Sequence, residues 1–209
     1  MSERVVLVGY GPVGARLIEG LLPAVREGRI DLTVIGAETH DVYNRVLLAE
    51  YAVGRADRGG LDMGDRRVAE EAGVNFVLGM TVVGVDRDRR VVRLHDGIRI
   101  PYDRLVLATG ARANVPTLAG LERAQRHRAA RPAVAAELDH GSAPLPRGGV
   151  ALRNLADAEH VRAAVSAGQR IVVLGAGVLG MELALAAAEA GAEVVVAYHS
   201  AAPMNRTLD

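Results

Sequence analysis

Two six-residue runs share one glycine spacing, Gly9-Tyr10-Gly11-Pro12-Val13-Gly14 and Gly175-Ala176-Gly177-Val178-Leu179-Gly180. In such a run the first glycine permits a tight strand-to-helix turn. The second lets backbone approach a pyrophosphate, and the third lets the helix lie close to the strand. Backbone N–H groups at the helix start, aided by the positive end of the helix dipole, then hold phosphate oxygens. The chemistry is dinucleotide binding. With 24 glycines in 209 residues the bare spacing is weak evidence, since roughly 0.3 matches arise by chance. Context decides: Val5-Val6-Leu7-Val8 leads into the first copy and Ile171-Val172-Val173-Leu174 into the second, and helix-forming stretches follow over Arg16–Leu22 and Met181–Ala190. Strand, glycine turn and helix in that order, twice, point to two nucleotide-binding units.

In this arrangement an acid near the end of the second strand, about 20 residues past the glycines, binds ribose hydroxyls. Glu38, in Val34-Ile35-Gly36-Ala37-Glu38, is the candidate for the first site, with Asp31 and Asp41 as nearby alternatives. In the second site Val196-Ala197-Tyr198-His199-Ser200 stands where the acid belongs, and no carboxylate is there. Such a site either takes a 2′-phosphate, which an acid would repel, or is relaxed in its choice. Arg206 is a candidate partner for that phosphate, against the plainer reading of a solvated tail residue.

The elements that must position these residues follow from local pattern. Val5–Val8 reads as a strand and Pro12–Leu22 as a helix, with Pro12 tolerated in the first turn. Leu32–Ile35 lacks alternation, as a strand covered on both faces would. Asp41–Tyr51 reads as a loop entering a short helix, and Asp65–Ala72 as a helix ended by Gly73. Phe76–Leu78, Thr81–Val85, Val91–Leu94 and Ile98–Ile100 are separated by turn signals such as His95-Asp96-Gly97, and predict an antiparallel meander of which Phe76–Leu78 is the first strand. Leu105–Ala108 then returns as a buried strand ending at Thr109-Gly110. Residues 113–149, rich in Ala, Arg, Pro and Gly, predict a connector with a helix near 121–130. A helix over Asp157–Ala167, the second fingerprint and a strand at Glu193–Ala197 complete the chain. The expected fold class is α/β, a Rossmann-like three-layer dinucleotide-binding fold with a small antiparallel meander and an incomplete second Rossmann unit. Its divisions are residues 1–113, a connector over 114–154, and residues 155–209.

Composition removes several alternatives. Lys+Arg and Asp+Glu balance at 25 each, so no global charge argues for nucleic acid or an acidic membrane surface. All the Lys+Arg residues are Arg, which rules out a Schiff-base lysine or a P-loop lysine. The absence of Cys excludes a disulfide framework, a Cys₄ iron–sulfur site and paired redox cysteines within these residues. Aromatic residues are too scarce for a base-stacking platform. No apolar run approaches the roughly 18 residues of a membrane span, and the N-terminus lacks a signal-peptide pattern, so a cytoplasmic protein with no metal site is the expectation.

Four segments together resemble a known family: the first fingerprint; Tyr43-Asn44-Arg45-Val46-Leu47-Leu48; Tyr102-Asp103-Arg104-Leu105-Val106-Leu107-Ala108-Thr109-Gly110-Ala111; and the second fingerprint with Glu182. The chain is identified by them as a member of the FAD-dependent pyridine nucleotide-disulfide oxidoreductase superfamily. It is most similar to the N-terminal part of the assimilatory NAD(P)H nitrite reductase large subunit and to ferredoxin and rubredoxin reductases. The Tyr43–Leu48 run and the closing Pro203–Asp209 favour the nitrite-reductase branch. The resemblance implies FAD in the first site, with its pyrophosphate on Gly9, Gly11 and Gly14 beside Pro12 and Val13. It implies Glu38 on the adenosine ribose, Arg45 on the flavin side, and Val82 with the Ala108-Thr109-Gly110 loop as further contacts. NAD(P)H falls to Gly175, Gly177 and Gly180, with Val178, Leu179 and Glu182 beside them. In several relatives an acid at the place of Glu182 pairs with a lysine, but here the matching position is Glu50, so the pair cannot form.

The resemblance further implies a hydride passed from NAD(P)H to FAD and electrons passed on to an acceptor domain or protein, iron–sulfur being one kind, with a homodimer as one assembly. No side chain here need act as acid, base or nucleophile. The family's FAD domain is completed by a segment after the nucleotide domain, which this sequence lacks, so a fragment of a longer flavoprotein is expected. The alternative is a dinucleotide-binding or regulatory module without turnover.

Overall fold

The computed structural model describes residues 2–113, 115, 145 and 148–205. The expected connector helix over 121–130 and Arg206 lie outside them. The chain divides into two compact units, Met1–Tyr43 with Asp62–Arg147, and Asn44–Leu61 with Gly148–Asp209.

The first unit is built on a parallel sheet of order β3-β2-β1-β7, formed by β1 (Glu3–Val8), β2 (Ile30–Gly36), β3 (Asn75–Leu78) and β7 (Arg104–Leu107). Strand β1 is buried on both faces because its side chains alternate between two cores. Val5 and Leu7 join Leu32 and Val34 against α1 (Pro12–Arg26) and Ala69 of α3 (Arg67–Glu71). Val6 and Val8 join Ile35 against an antiparallel sheet of β4 (Val82–Asp86), β5 (Val91–Leu94) and β6 (Arg99–Pro101). Helices, parallel sheet and meander make three layers, as expected. Leu7, Leu32 and Val34 are fully buried, and each such side chain contributes roughly 1.5–3 kcal/mol of burial free energy.

Three expectations are corrected. The Phe76–Leu78 run is not part of the meander: β3 pairs in parallel with β2, Thr33 opposite Asn75 through Gly36 opposite Leu78. Helix α1 does not stop at Leu22 but continues through Pro23 to Arg26. The bond Pro23 cannot donate is lost on a largely solvent-facing turn, while one turn further brings Val25 into the core, and Gly28 closes the helix at φ +67°. Strand β7 is not buried throughout, for it lies at the sheet edge and Leu107 is 63% exposed.

The start of β7 is tied to β1 by Asp103, whose two carboxylate oxygens accept from Arg4 N (2.8 Å), Nε (3.0 Å) and Nη2 (2.8 Å). These bonds hold the Asp103 carboxyl well below its ordinary value of 3.8. A depressed folded-state pKa means stabilisation that is present above the unfolded value and lost as pH falls through the folded one. Asp103→Asn is therefore expected to lower the melting temperature most at neutral pH. In thermal melts from about pH 7 to about pH 2, its gap from wild type should narrow only as pH drops below about 3.8.

In the second unit β8 (Ile171–Leu174) and β9 (Val194–Ala197) pair in parallel, and α5 (Val178–Glu189) connects them. A second helix, α4 (Leu155–Ser166), is started by a capping box: Asn154 Oδ1 accepts from Asp157 N at 2.9 Å, and Asp157 Oδ2 accepts from Asn154 N at 3.0 Å. Asn154→Ala is expected to cost about 1 kcal/mol in denaturant unfolding. The short helix α2 (Leu48–Ala52) belongs to this unit, with Arg162 of α4 lying 5.0 Å from the centre of the Tyr51 ring and Val53 packed with Ala186 and Ala187. Among the described residues, no helix is long and apolar enough to cross a membrane.

Candidate functional site

The first glycine turn is shaped by backbone crowding. Gly9 sits at φ +113°, donates its N–H to Ile35 O at 2.8 Å, and leaves no room for a Cβ, which would fall on the carbonyl of Ala108. Ala108 is held there by its own N–H bond to Val8 O, also 2.8 Å. Thus β7 delivers Ala108 and Thr109 directly against the turn, and Gly110 follows at φ +68° with its surroundings exposed. A Cβ on Gly14 would fall on the carbonyl of Gly9, which is why the helix can pass so close to the strand.

Gly11 differs from both. It caps α1 with an ordinary φ of −96°, no side chain caps the helix, and a Cβ built there meets none of the described residues within 4 Å. The described residues therefore leave the immediate surroundings of Gly11 open, while Pro12 occupies the position where a missing N–H is harmless. Val13 is 73% exposed.

The second turn repeats this backbone path, without the crowding at its first glycine, since a Cβ on Gly175 meets none of the described residues within 4 Å. Gly175 has φ +109° and donates to Ala197 O at 2.8 Å, and a Cβ on Gly180 would fall on the Gly175 carbonyl. Gly177 caps α5 at φ −79° without a side-chain cap, and a Cβ there again meets none of the described residues within 4 Å. Val178 and Leu179 are exposed beside it. In both turns the chain itself demands glycine at the first position, through its positive φ, and at the third, through the adjacent carbonyl, whereas none of the described residues crowds the middle one.

Glu38 stands two residues beyond β2. Its carbonyl accepts from Gly79 N at 3.3 Å, and its carboxylate Oε2 accepts from the Tyr43 hydroxyl at 2.7 Å. Its rivals are placed elsewhere. Asp31 lies near the start of β2, opposite Arg4, at the far end of the strand from the glycines. Asp41 Oδ1 lies 3.5 Å from Arg66 Nε. Past β9, the residues Tyr198, His199 and Ser200 follow the bond from Gly175 as Gly36, Ala37 and Glu38 follow the bond from Gly9, without a carboxylate among them.

Compared with models of known families, residues 3–209 match the one described as pyridine nucleotide-disulphide oxidoreductase. The chain belongs to this family. The expected membership and Rossmann-like fold are thereby confirmed, and FAD and NAD(P)H are the family's cofactors. The chain is 31% identical over 209 residues to Nitrite reductase [NAD(P)H] of Bacillus subtilis (strain 168), covering all of this chain and 23% of that protein. It is 32% identical over 216 residues to the ferredoxin–NAD(+) reductase component of the anthranilate 1,2-dioxygenase system of Burkholderia cepacia, covering 99% of this chain and 45% of that one. Among solved structures it resembles the covalent putidaredoxin reductase–putidaredoxin complex, with a TM-score of 0.79, 28% identity, and coverage of 99% of this chain and 45% of the other. The chain thus spans less than half the length of these relatives.

The other residues assigned by resemblance to this oxidoreductase family occupy varied places. Val82 opens β4 and packs against the core around Val6 and Val8. Arg45 lies in the second unit on a single 3₁₀ turn, where its Nη1 donates to Arg153 O at 2.9 Å, just before the α4 cap. Glu182 is half-buried in the first half of α5. Glu50 lies 3.8 Å from Arg55, which also pairs with Glu189.

Two features escaped sequence reasoning. Tyr43 opens the Tyr43–Leu48 run, but nothing local links its hydroxyl to Glu38. Tyr10, the variable residue of the first fingerprint, packs edge-on against Phe76 at 5.0 Å between ring centres. It lines a cleft of about 230 Å³ with Ile18, Val42, Met63 and Val68. Burial, reinforced by the Asp41 charge, pushes the Tyr10 hydroxyl up to about 12.

Proposed function

We propose that this chain is the nucleotide-binding portion of an FAD-dependent NAD(P)H oxidoreductase that works in the cytoplasm and passes electrons to a separate acceptor, with an iron–sulfur protein or a nitrite-reducing centre as the acceptor class. The observation that carries the reading is the repeated turn, in which the middle glycine precedes an uncapped helix start with none of the described residues within 4 Å of its added Cβ, while the first glycine needs a positive φ and the third is crowded by a backbone carbonyl. A dinucleotide pyrophosphate has the charge and acceptor oxygens to bind at such a helix start.

In this reading Gly9, Gly11 and Gly14 hold the FAD pyrophosphate, with the N–H groups of Val13 and Gly14 as donors because Pro12 has none. Glu38 takes the adenosine ribose hydroxyls, and Val82 with Ala108, Thr109 and Gly110 lies along the same cofactor. Gly175, Gly177 and Gly180, with the N–H groups of Val178 and Leu179, hold NAD(P)H, and Glu182 stands on the same helix. Arg45 retains its assignment to the flavin side from the resemblance alone. When bound, the two cofactors supply hydride transfer from nicotinamide to flavin and the onward electrons. The protein residues bind and orient them, and none need donate or accept a proton.

The test is an absorption spectrum of the purified protein followed by anaerobic addition of NAD(P)H. Oxidised-flavin bands that bleach on addition are the expected result. A protein that takes up no flavin overturns the first-site assignment, and a bound flavin that does not bleach favours the module without turnover.

A further inference from the structure

We propose that Tyr43 is a positioning residue of the first nucleotide site, its hydroxyl holding the Glu38 carboxylate in the orientation that receives the adenosine ribose. The inference rests on the FAD assignment above and concerns how that site gains its selectivity.

Both partners are fixed by the fold before any ligand arrives. The Tyr43 side chain is anchored in the interior, the residue being 3% exposed, and its backbone forms an antiparallel bridge with Asp62. Its hydroxyl donates to Glu38 Oε2 at 2.7 Å, the length of a charge-assisted bond. The Glu38 backbone is pinned from the other side, for its carbonyl accepts from Gly79 N while Gly36 O accepts from Met80 N at 2.9 Å. Gly36 itself is confined, since a Cβ there would lie 2.8 Å from Leu78 Cδ2 and 3.3 Å from Tyr10 Cβ. The main chain and one carboxylate oxygen are thus both held, which restricts the orientations open to the carboxylate.

A glutamate has three side-chain torsions that a ribose would otherwise have to freeze on binding, and ordering them in advance removes that cost. The simpler view is that Glu38 merely satisfies a buried tyrosine hydroxyl. The two views part on selectivity. A structural bond would affect stability without regard to the ribose. A positioning bond affects the ligand that carries the ribose hydroxyl and spares the one that lacks it.

The experiment is fluorescence titration of the full 209-residue chain with FAD and with its 2′-deoxyadenosine analogue, for wild type, Tyr43→Phe, Glu38→Ala and the double variant. The phenylalanine ring fills the tyrosine's space, and circular dichroism checks each fold. Tyr43→Phe is expected to lose roughly two- to tenfold of FAD affinity, the cost of ordering one side chain, and to bind the deoxy analogue as wild type does. Glu38→Ala should abolish the preference for FAD over the analogue, and adding Tyr43→Phe to it should change nothing more. If wild type discriminates and Tyr43→Phe discriminates equally, or weakens both ligands alike, the inference is overturned and the FAD assignment stands. If wild type binds neither ligand, or both equally, the inference and the ribose role of Glu38 fall together.

Discussion

Gly11→Val is expected to yield a folded protein without flavin, and Gly14→Val to yield little folded protein at all. The two glycines belong to one fingerprint, yet their surroundings assign them different tasks. A Cβ at Gly11 meets none of the described residues within 4 Å and the backbone there has φ −96°, so a side chain is accommodated with little strain. On the proposed assignment it fills the space of the pyrophosphate, and losing two N–H bonds to a charged group, at about 1.5–3 kcal/mol each, weakens binding roughly a hundredfold or more. At Gly14 the added carbon falls on the carbonyl of Gly9, a main-chain atom that cannot swing aside. Gly9 is itself wedged against Ala108, so the strain spreads to β7. A cost of about 4 kcal/mol or more is in the class of severe core defects and takes a large share of the roughly 5–15 kcal/mol that keeps a domain folded. Flavin-to-protein ratio and denaturant unfolding, measured on both variants, separate the effects. A Gly11→Val protein with full flavin content would remove the first turn from the cofactor site.

The second large effect concerns nucleotide choice. NADPH should reduce the flavin at least as fast as NADH, because Tyr198, His199 and Ser200 present no carboxylate past β9. A glutamate placed at Tyr198 or at Ser200 should then reverse the balance. Two like charges about 4 Å apart repel by about 1 kcal/mol in water and about 4 kcal/mol near a protein surface, so a tenfold discrimination, about 1.4 kcal/mol, lies well within reach. Tyr198 is 44% exposed, which places the effect toward the lower end and makes it sensitive to salt. Stopped-flow reduction by each nucleotide, in a flavin-loaded protein at low and high ionic strength, measures it. A strong NADH preference in wild type would show that selectivity is set elsewhere.

The two glycine turns were legible in the chain because what creates them is local. A run of apolar β-formers, three glycines at fixed spacing and a helix start leave their mark within about a dozen residues. The left-handed backbone of Gly9 and Gly175 and the closeness of Gly14 and Gly180 to the strand follow from that spacing. The meander strands from Val82 to Pro101 were legible for a similar reason, since alternation and the Asp96-Gly97 turn are short-range signals.

Contacts between distant residues had no such signal. Asn75–Leu78 carries the same apolar character as its meander neighbours, and only its pairing with β2 places it in the parallel sheet. The sequence placed Glu38 first but left Asp31 and Asp41 as alternatives. In space Asp31 is a strand length away and Asp41 lies beside Arg66, while Glu38 alone meets Tyr43. Helix α2 has too few residues to declare its partner, and its packing with α4 and α5 assigns 44–61 to the second unit. Backbone conformation is decided over a few neighbouring residues and can be read from them. The choice among similar side chains depends on what the fold brings to each from far along the chain, as β7 brings Ala108 to Gly9 and the bridge to Asp62 holds Tyr43 over Glu38.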